Sequence, residues 1–267
     1  HMEKLTMLDY VKETPGVLRK NIEQYETLLE PLIKEVKGKE IKRILLVASG
    51  SSHNACYCAR SFVEKVSGLE VRIITPYTFT YYENDIRETD LVLVVTQSGL
   101  STNAIEALKI IKKKQYRAIC LTGNKNSDVK DYADAVIEYG VGEELVGYVT
   151  KGVSTLALFL DLFAVVYSGK VEYLEELRKA ADLNEEMIDK ATDFIQLHYK
   201  NLSSMSWVYS CGAGSNYGTA LESALKMGET IHIPSCCYEI EEYIHGPNLQ
   251  LTPKYNVIFF DGNDVAS

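Results

Sequence analysis

The chain has 267 residues, 46% of them hydrophobic, enough to bury one large core or two smaller ones. A net charge of −9 with no basic block or stripe argues against nucleic acid as a partner. No apolar run approaches a membrane span and no secretory signal opens the chain, so it reads as cytoplasmic with no membrane partner.

His1-Met2 reads as an expression scar. Residues 1–40 form a helical lead: from about Met7 to Val36, Leu8, Val11, Leu18, Ile22, Leu28, Leu29 and Ile33 recur at turn spacing, with Pro15-Gly16 interrupting. An alternation of strands and helices then fills residues 41–168. Strands are expected at Ile44 to Ala48, Val71 to Ile74, Leu91 to Val95, Ala118 to Leu121 and Ala135 to Glu138. Helices are expected at Ser52 to Val66, Ala104 to Lys112 and Thr150 to about Tyr167. This is an α/β pattern, a doubly wound parallel sheet covered by helices on both faces. Residues 169–200 are charged and read as a helical connector. From 201 to 267 the pattern restarts: Trp207 to Asn216 echoes Ile44 to Asn54, pairing Gly50 with Gly212 and Asn54 with Asn216, and a helix follows from Tyr217 to Thr230. The second copy stops after a strand at Val257 to Phe260, so it is either a fragment or a sheet completed by something else.

The most informative stretch runs from Asp90 to Lys109. A buried strand ends in Thr96, Gln97, Ser98, Gly99, Ser101 and Thr102 just where a helix begins. Free backbone N–H groups, hydroxyl donors and the positive end of a helix dipole therefore meet at one point, which suits a phosphate without a lysine. The alternative is that Ser98 or Ser101 merely caps the helix. Ser49-Gly50-Ser51-Ser52 forms a similar turn after the first strand. In a doubly wound sheet both turns fall at the carboxyl ends of strands, where ligands bind. No cofactor or metal is expected: Cys56-Tyr-Cys58 and Cys236-Cys237 lack zinc-ligand spacing, and Cys58, Cys120 and Cys211 sit among apolar residues like small buried hydrophobes.

Four motifs in this order resemble the sugar isomerase (SIS) family, in particular its tandem-domain members. They are Ser49-Gly-Ser-Ser52, Thr96-Gln-Ser-Gly-Leu-Ser101, Ala220-Leu-Glu-Ser-Ala-Leu-Lys-Met-Gly-Glu229 and His245-Gly-Pro247. Those members include the isomerase half of glucosamine-6-phosphate synthase and the fructosamine-6-phosphate deglycases. The resemblance implies a sugar phosphate as ligand, its phosphate among Thr96, Ser98 and Ser101 with Gln97 beside it. Ser49, Ser51 and Ser52, around Gly50, would touch the phosphate or the sugar hydroxyls. The family often has an acidic residue where Leu100 stands and a small hydroxyl near Val149, which is placed at the sugar end of the pocket. Glu144 and Lys151 match the segment leading into the long helix, where Lys151 is read as stabilising its first turn.

The resemblance makes Glu229 and His245 the acid–base pair. A carboxylate on a partly enclosed helix face suits proton transfer at carbon, and histidine titrates near neutrality. The bland alternatives are a solvated ion-pair ladder of Glu222, Lys226 and Glu229, and a structural loop histidine. Glu242 could orient His245. His53 either points at the ligand or caps its helix, and is read as the cap; His232 has no motif support. In the family this histidine comes from a neighbouring subunit, which implies a homodimer. The expected activity is cleavage of a fructosamine 6-phosphate, because the lysine tail of the synthase type is not seen. Aldose–ketose isomerisation and a non-catalytic sugar-phosphate sensor are the alternatives.

Overall fold

The computed structural model describes residues 3–264; the scar at His1-Met2 and the last three residues of the expected tail lie outside the described residues. Helix α1 (Met7–Glu23) opens on a capping box: Thr6 Oγ1 accepts from Asp9 N–H, and the Asp9 carboxylate accepts from Thr6 N–H. It continues through Pro15-Gly16, contrary to the expected interruption, and breaks instead at Gln24, before α2 (Tyr25–Val36). Burial explains this. Tyr10, Thr14, Leu18, Asn21 and Ile22 form one inward face spanning the proline, which outweighs the ~3 kcal/mol an interior proline costs.

Five parallel strands follow: β1 (Arg43–Val47), β2 (Glu70–Ile74), β3 (Asp90–Thr96), β4 (Ile119–Thr122) and β5 (Ala135–Glu138), in the spatial order β2-β1-β3-β4-β5. Their side chains alternate between two cores. Ile44, Leu46, Leu91 and Leu93 face one core with α1, α2, α3 (Gly50–Ser67) and α6 (Lys151–Ser168). Leu45, Val47, Val92 and Val94 face the other, with α4 (Pro76–Tyr81) and α5 (Thr102–Lys113). The doubly wound α/β class read from the sequence is what the chain adopts. At the amino ends of the central strands, Arg43 and Asp90 are register partners joined by two hydrogen bonds of 2.8 and 2.6 Å, both side chains buried. Cys56, rather than Cys58, is the buried thiol of α3, because the inward face of that helix runs through Ala55, Ala59, Val63 and Val66.

Helix α6 departs from the expectation that no segment is long and apolar enough to span a membrane: by length and composition it is. Its Leu156, Phe159, Leu160 and Phe163 are instead buried against the first core.

The chain divides into two compact units after Ala181, inside α7 (Leu174–Leu197) and thus within the expected connector. The second unit contains α8 (Tyr199–Ser203), β6 (Val208–Gly212), α9 (Ser215–Lys226), β7 (Ser235–Glu239), α10 (Ile240–Ile244) and β8 (Asn256–Phe260). Its parallel sheet has the order β7-β6-β8, the same crossover as β2-β1-β3. The internal repeat is therefore real in topology, but the sequence pairing shifts. Gly50 (φ 59°) corresponds to Gly214 (φ 59°), the glycine that turns each chain into its helix. Gly212 has a separate reason to be glycine: a Cβ there would collide with the Asn216 backbone.

Among the buried side-chain polar atoms without a hydrogen-bond partner, one belongs to a carboxyl. Asp161 Oδ1, on α6, has no hydrogen-bond partner among the described residues, and burial pushes its carboxyl well above the usual carboxylate range. The folded state then keeps a proton that the unfolded state releases, so stability falls as pH rises from about 4 through the raised value. Asp161→Asn should remove that slope, gaining about 1–3 kcal/mol at pH 8 and little at pH 4 in urea titrations. A variant destabilised equally at both pH values would refute the assignment.

Candidate active site

β1 and β3 lie side by side, with Val47 opposite Val94, and the chain leaves them for helices on opposite faces of the sheet. Their carboxyl ends therefore flank the point where strand order reverses, the crevice in which doubly wound sheets bind ligands. The structure brings together here the residues read as phosphate ligands. Ser49, exposed, precedes α3 without capping it through its side chain, and Gly50, Ser51 and Ser52 form its first turn. Across the crevice stand Thr96, buried at the end of β3, and exposed Ser98. Ser101 caps α5 by accepting from Ala104 N–H at 3.4 Å, so the capping reading holds for this hydroxyl, which is still half-exposed. Ser98 Oγ accepts from Leu100 N–H at 3.1 Å and holds the loop in a tight turn. Gly99 (φ 67°) is required there, since a Cβ would collide with Ser127 Oγ.

A cavity of about 550 Å³ adjoins this loop on the β4 and β5 side, lined in part by Gln97, Ser98, Asn124, Glu144 and Val149. Gln97 is held on every side. Its backbone oxygen accepts from Gly123 N–H (3.0 Å) and Thr122 Oγ1 (3.3 Å). Its Nε2 donates to Glu144 Oε1 (2.9 Å), and its Oε1 accepts from the Tyr139 hydroxyl (3.3 Å). The amide orientation follows from chemistry, because a carboxylate can only accept. Burial, the largest cause, together with the nearby Glu144 charge, pushes the Tyr139 phenol up, so it remains a donor. Glu144 also receives the N–H groups of Thr150 (2.9 Å) and Lys151 (2.6 Å), capping α6.

Lys151 does more than stabilise the first turn of α6. Its side chain is buried, and Nζ donates to Glu143 O (2.8 Å) and Glu13 Oε1 (3.3 Å) while lying over the Tyr10 ring. Tyr10 and Asn21 hold the same segment, accepting from Leu145 N–H (3.0 Å) and donating to Gly140 O (2.9 Å) respectively. Helix α1 is thus the outer brace of the cavity wall. His53 lies inside α3, not at its cap; its Nδ1 sits 3.2 Å from Asn54 Oδ1 and its ring packs on Tyr57.

In the second unit, Lys226 Nζ bonds both Glu222 (2.8 Å) and Glu229 (3.1 Å). The ladder therefore exists, but all three side chains are largely shielded from solvent rather than fully solvated. Glu229 lies in one π-helical turn, Met227–Ile231, closed by His232 in the left-handed region (φ 55°). Such turns are rare and concentrate at functional sites. His245 is exposed, and its Nδ1 is 2.7 Å from Glu241 O. A carbonyl only accepts, so Nδ1 carries the proton and Nε2 is left as the basic nitrogen. The Glu241 backbone orients this ring, not the Glu242 carboxylate; Glu242 contributes only its carbonyl, to His245 N–H at 3.2 Å. Among the described residues, no hydrogen bond or ion pair joins Glu229 to His245: their partners are Lys226 and the Glu241 carbonyl. Glu229 precedes the amino end of β7, and His245 follows α10, beyond its carboxyl end.

Residues 39–166 match the SIS domain family. The chain carries a SIS domain. The glutamine–fructose-6-phosphate aminotransferase (isomerizing) of Caldanaerobacter subterraneus subsp. tengcongensis is 29% identical over 217 residues, or 78% of this chain and 36% of that protein. The Clostridium perfringens protein of the same name is 28% identical over 255 residues, or 90% of this chain and 42% of that one. The chain thus spans less than half the length of these relatives. A solved structure assigned as a phosphosugar isomerase, from Clostridium difficile 630, superposes with a TM-score of 0.87 at 27% identity, covering 98% of this chain and 77% of that one.

Sequence reasoning missed the bracing of the cavity wall: Tyr10, Glu13 and Asn21 on α1, and Tyr139, carried no motif, and Glu144 was noted only by position. The single available signal was Gly152, whose Cβ would collide with Gln97 Oε1. The Gly99 turn supplies a test. Gly99→Ala should cost about 1–3 kcal/mol of stability in urea titrations, through left-handed strain and the Ser127 clash. Unchanged stability would show that the turn is not the constraint.

Proposed function

We propose that this chain grips the phosphate of a sugar phosphate between the Ser49–Ser52 and Thr96–Ser101 turns and cleaves a fructosamine 6-phosphate to glucose 6-phosphate and an amine. The observation that carries the reading is the convergence of two hydroxyl-rich turns at the strand-order reversal, one of them on a helix N-terminus that the Ser49 side chain does not cap. The relatives are named for acting on fructose 6-phosphate, which has the same phosphate and carbon skeleton.

The chemistry needs one base and one acid. Glu229 takes a proton from C1 and returns it at C2 while the nitrogen proton passes to the C2 oxygen, converting the ketosamine to an imine at C1 and a hydroxyl at C2. His245 protonates the ring oxygen for opening, and then the departing amine as water adds to C1 and the C–N bond breaks. Water is consumed, and glucose 6-phosphate and the amine are released. Lys226, between two carboxylates, holds Glu229 in its π-helical turn. As the resemblance to the SIS family implies, a second copy supplies the histidine, and the working unit is a homodimer. The "isomerizing" in the relatives' names favours a second reading, in which C1–C2 proton transfer occurs on fructose 6-phosphate itself.

Incubation with fructosamine 6-phosphates and, separately, with fructose 6-phosphate, with glucose 6-phosphate measured, decides between them. Release from fructosamines alone supports the cleavage. Release from fructose 6-phosphate supports isomerisation, and binding without turnover overturns both. Glu229→Gln should lower kcat by about 10²–10⁴-fold while sparing affinity; full activity in that variant would remove the proton-transfer assignment.

A further inference from the structure

We propose that Glu144 is a positioning residue for the phosphate site, a carboxylate clasp that fixes the Gln97 end of the phosphate-binding turn against the first turn of α6. The inference rests on the sugar-phosphate reading above and adds a residue to which that reading gives no role.

Glu144 spends both oxygens on protein donors: Oε1 accepts from Gln97 Nε2 and Thr150 N–H, each at 2.9 Å, and Oε2 accepts from Lys151 N–H at 2.6 Å. These donors come from two segments distant in sequence, the β3 turn and the start of α6. The Gln97 amide has its second contact at the Tyr139 hydroxyl, and Gly152 leaves it no room to swing toward α6. Gln97 leads directly into Ser98, whose hydroxyl holds the turn through Leu100 N–H. Side chain and backbone of Gln97 are thus both pinned immediately before the hydroxyls that would meet the phosphate. A fixed turn presents its donors without an ordering cost on binding.

A carboxylate is an odd choice beside a dianion unless its charge is already committed. Here it is committed, to two backbone N–H groups at a helix N-terminus and to an amide. That makes the sign of the test informative. If Glu144 acted on the ligand through charge alone, its neutralisation would tighten phosphate binding. If it is a clasp, neutralisation loosens binding, because an amide at this position turns an N–H toward an N–H donor.

The experiment compares wild type, Glu144→Gln, Gln97→Met and the swapped pair Gln97→Glu/Glu144→Gln. Steady-state release of glucose 6-phosphate and calorimetric titration with fructose 6-phosphate are measured, with thermal unfolding in parallel. The clasp requires each single variant to raise KM, and the calorimetric Kd, by about tenfold with kcat within about twofold. In the swapped pair, amide and carboxylate meet again in reverse, and part of the lost affinity should return. Glu144→Gln binding as tightly as wild type or tighter, a fall confined to kcat, or no recovery in the swapped pair overturns the proposal. If Glu144→Gln does not fold, Gln97→Met with the swapped pair decides on the same criteria. If wild type turns over none of the substrates, the reaction assigned above fails, and the clasp is judged on Kd alone.

Discussion

Two neighbouring parallel strands whose chains depart to opposite faces of the sheet impose the geometry on which the rest depends. Between such strands no crossover helix covers the carboxyl edge, so a crevice opens. In this protein the constraint is met by β1 and β3, locked in register at their amino ends by the buried Arg43–Asp90 pair. The far ends of the same strands carry Ser49 and Thr96. A register slip of one residue would turn Ile44 and Leu46 out of their core and carry the hydroxyl turns away from each other. The Arg43 pair and the two hydrophobic cores thus protect the site from the opposite end of the sheet.

The crevice is bounded by hydroxyls and backbone N–H groups, not by lysine or arginine. Lys151, the nearby cation of the α6 turn, is turned away and satisfied by Glu143 O, Glu13 and the Tyr10 ring. Glu144 quiets the α6 N-terminus, whereas α3 has no side-chain cap from its own Ser49. Positive potential from the backbone is therefore left at α3, beside the turn that carries Ser51 and Ser52. The two helix starts have the same dipole and are closed differently: a carboxylate caps α6 to build a wall, whereas the Ser49 side chain does not cap α3.

Strand positions, most helix positions and both hydroxyl turns were legible in the sequence because they are local: strands alternate between two cores, and turns advertise Gly, Ser and Thr. The expected break at Pro15-Gly16 failed because propensity was set against a buried face that only the tertiary structure supplies. α4 was missed in the stretch after β2, although Pro76 sits at its first position, where proline fits a helix. The cavity wall was illegible for a different reason. Its contacts join Tyr10 to Leu145, Asn21 to Gly140 and Gln97 to Glu144, residues far apart in the chain, none of which belongs to a periodic or spaced pattern. The shift of the internal repeat has the same origin, since Gly212 and Gly214 look alike as letters and differ only in φ and in what lies above them.

A division of labour follows from what each unit offers. In the proposed reaction the phosphate is the same in substrate, imine and product, so interactions with it are made equally in ground state and transition state. Such binding holds the substrate in place but does not by itself speed the chemical step. The difference must come from groups that meet changing charge at C1, C2 and the amine. The SIS domain at residues 39–166 supplies hydroxyls and N–H groups, which do not titrate near neutrality. The second unit supplies a carboxylate in a π-helical turn and an imidazole whose protonated nitrogen is fixed by a backbone carbonyl. In that reading, holding and proton transfer fall to different parts of the chain.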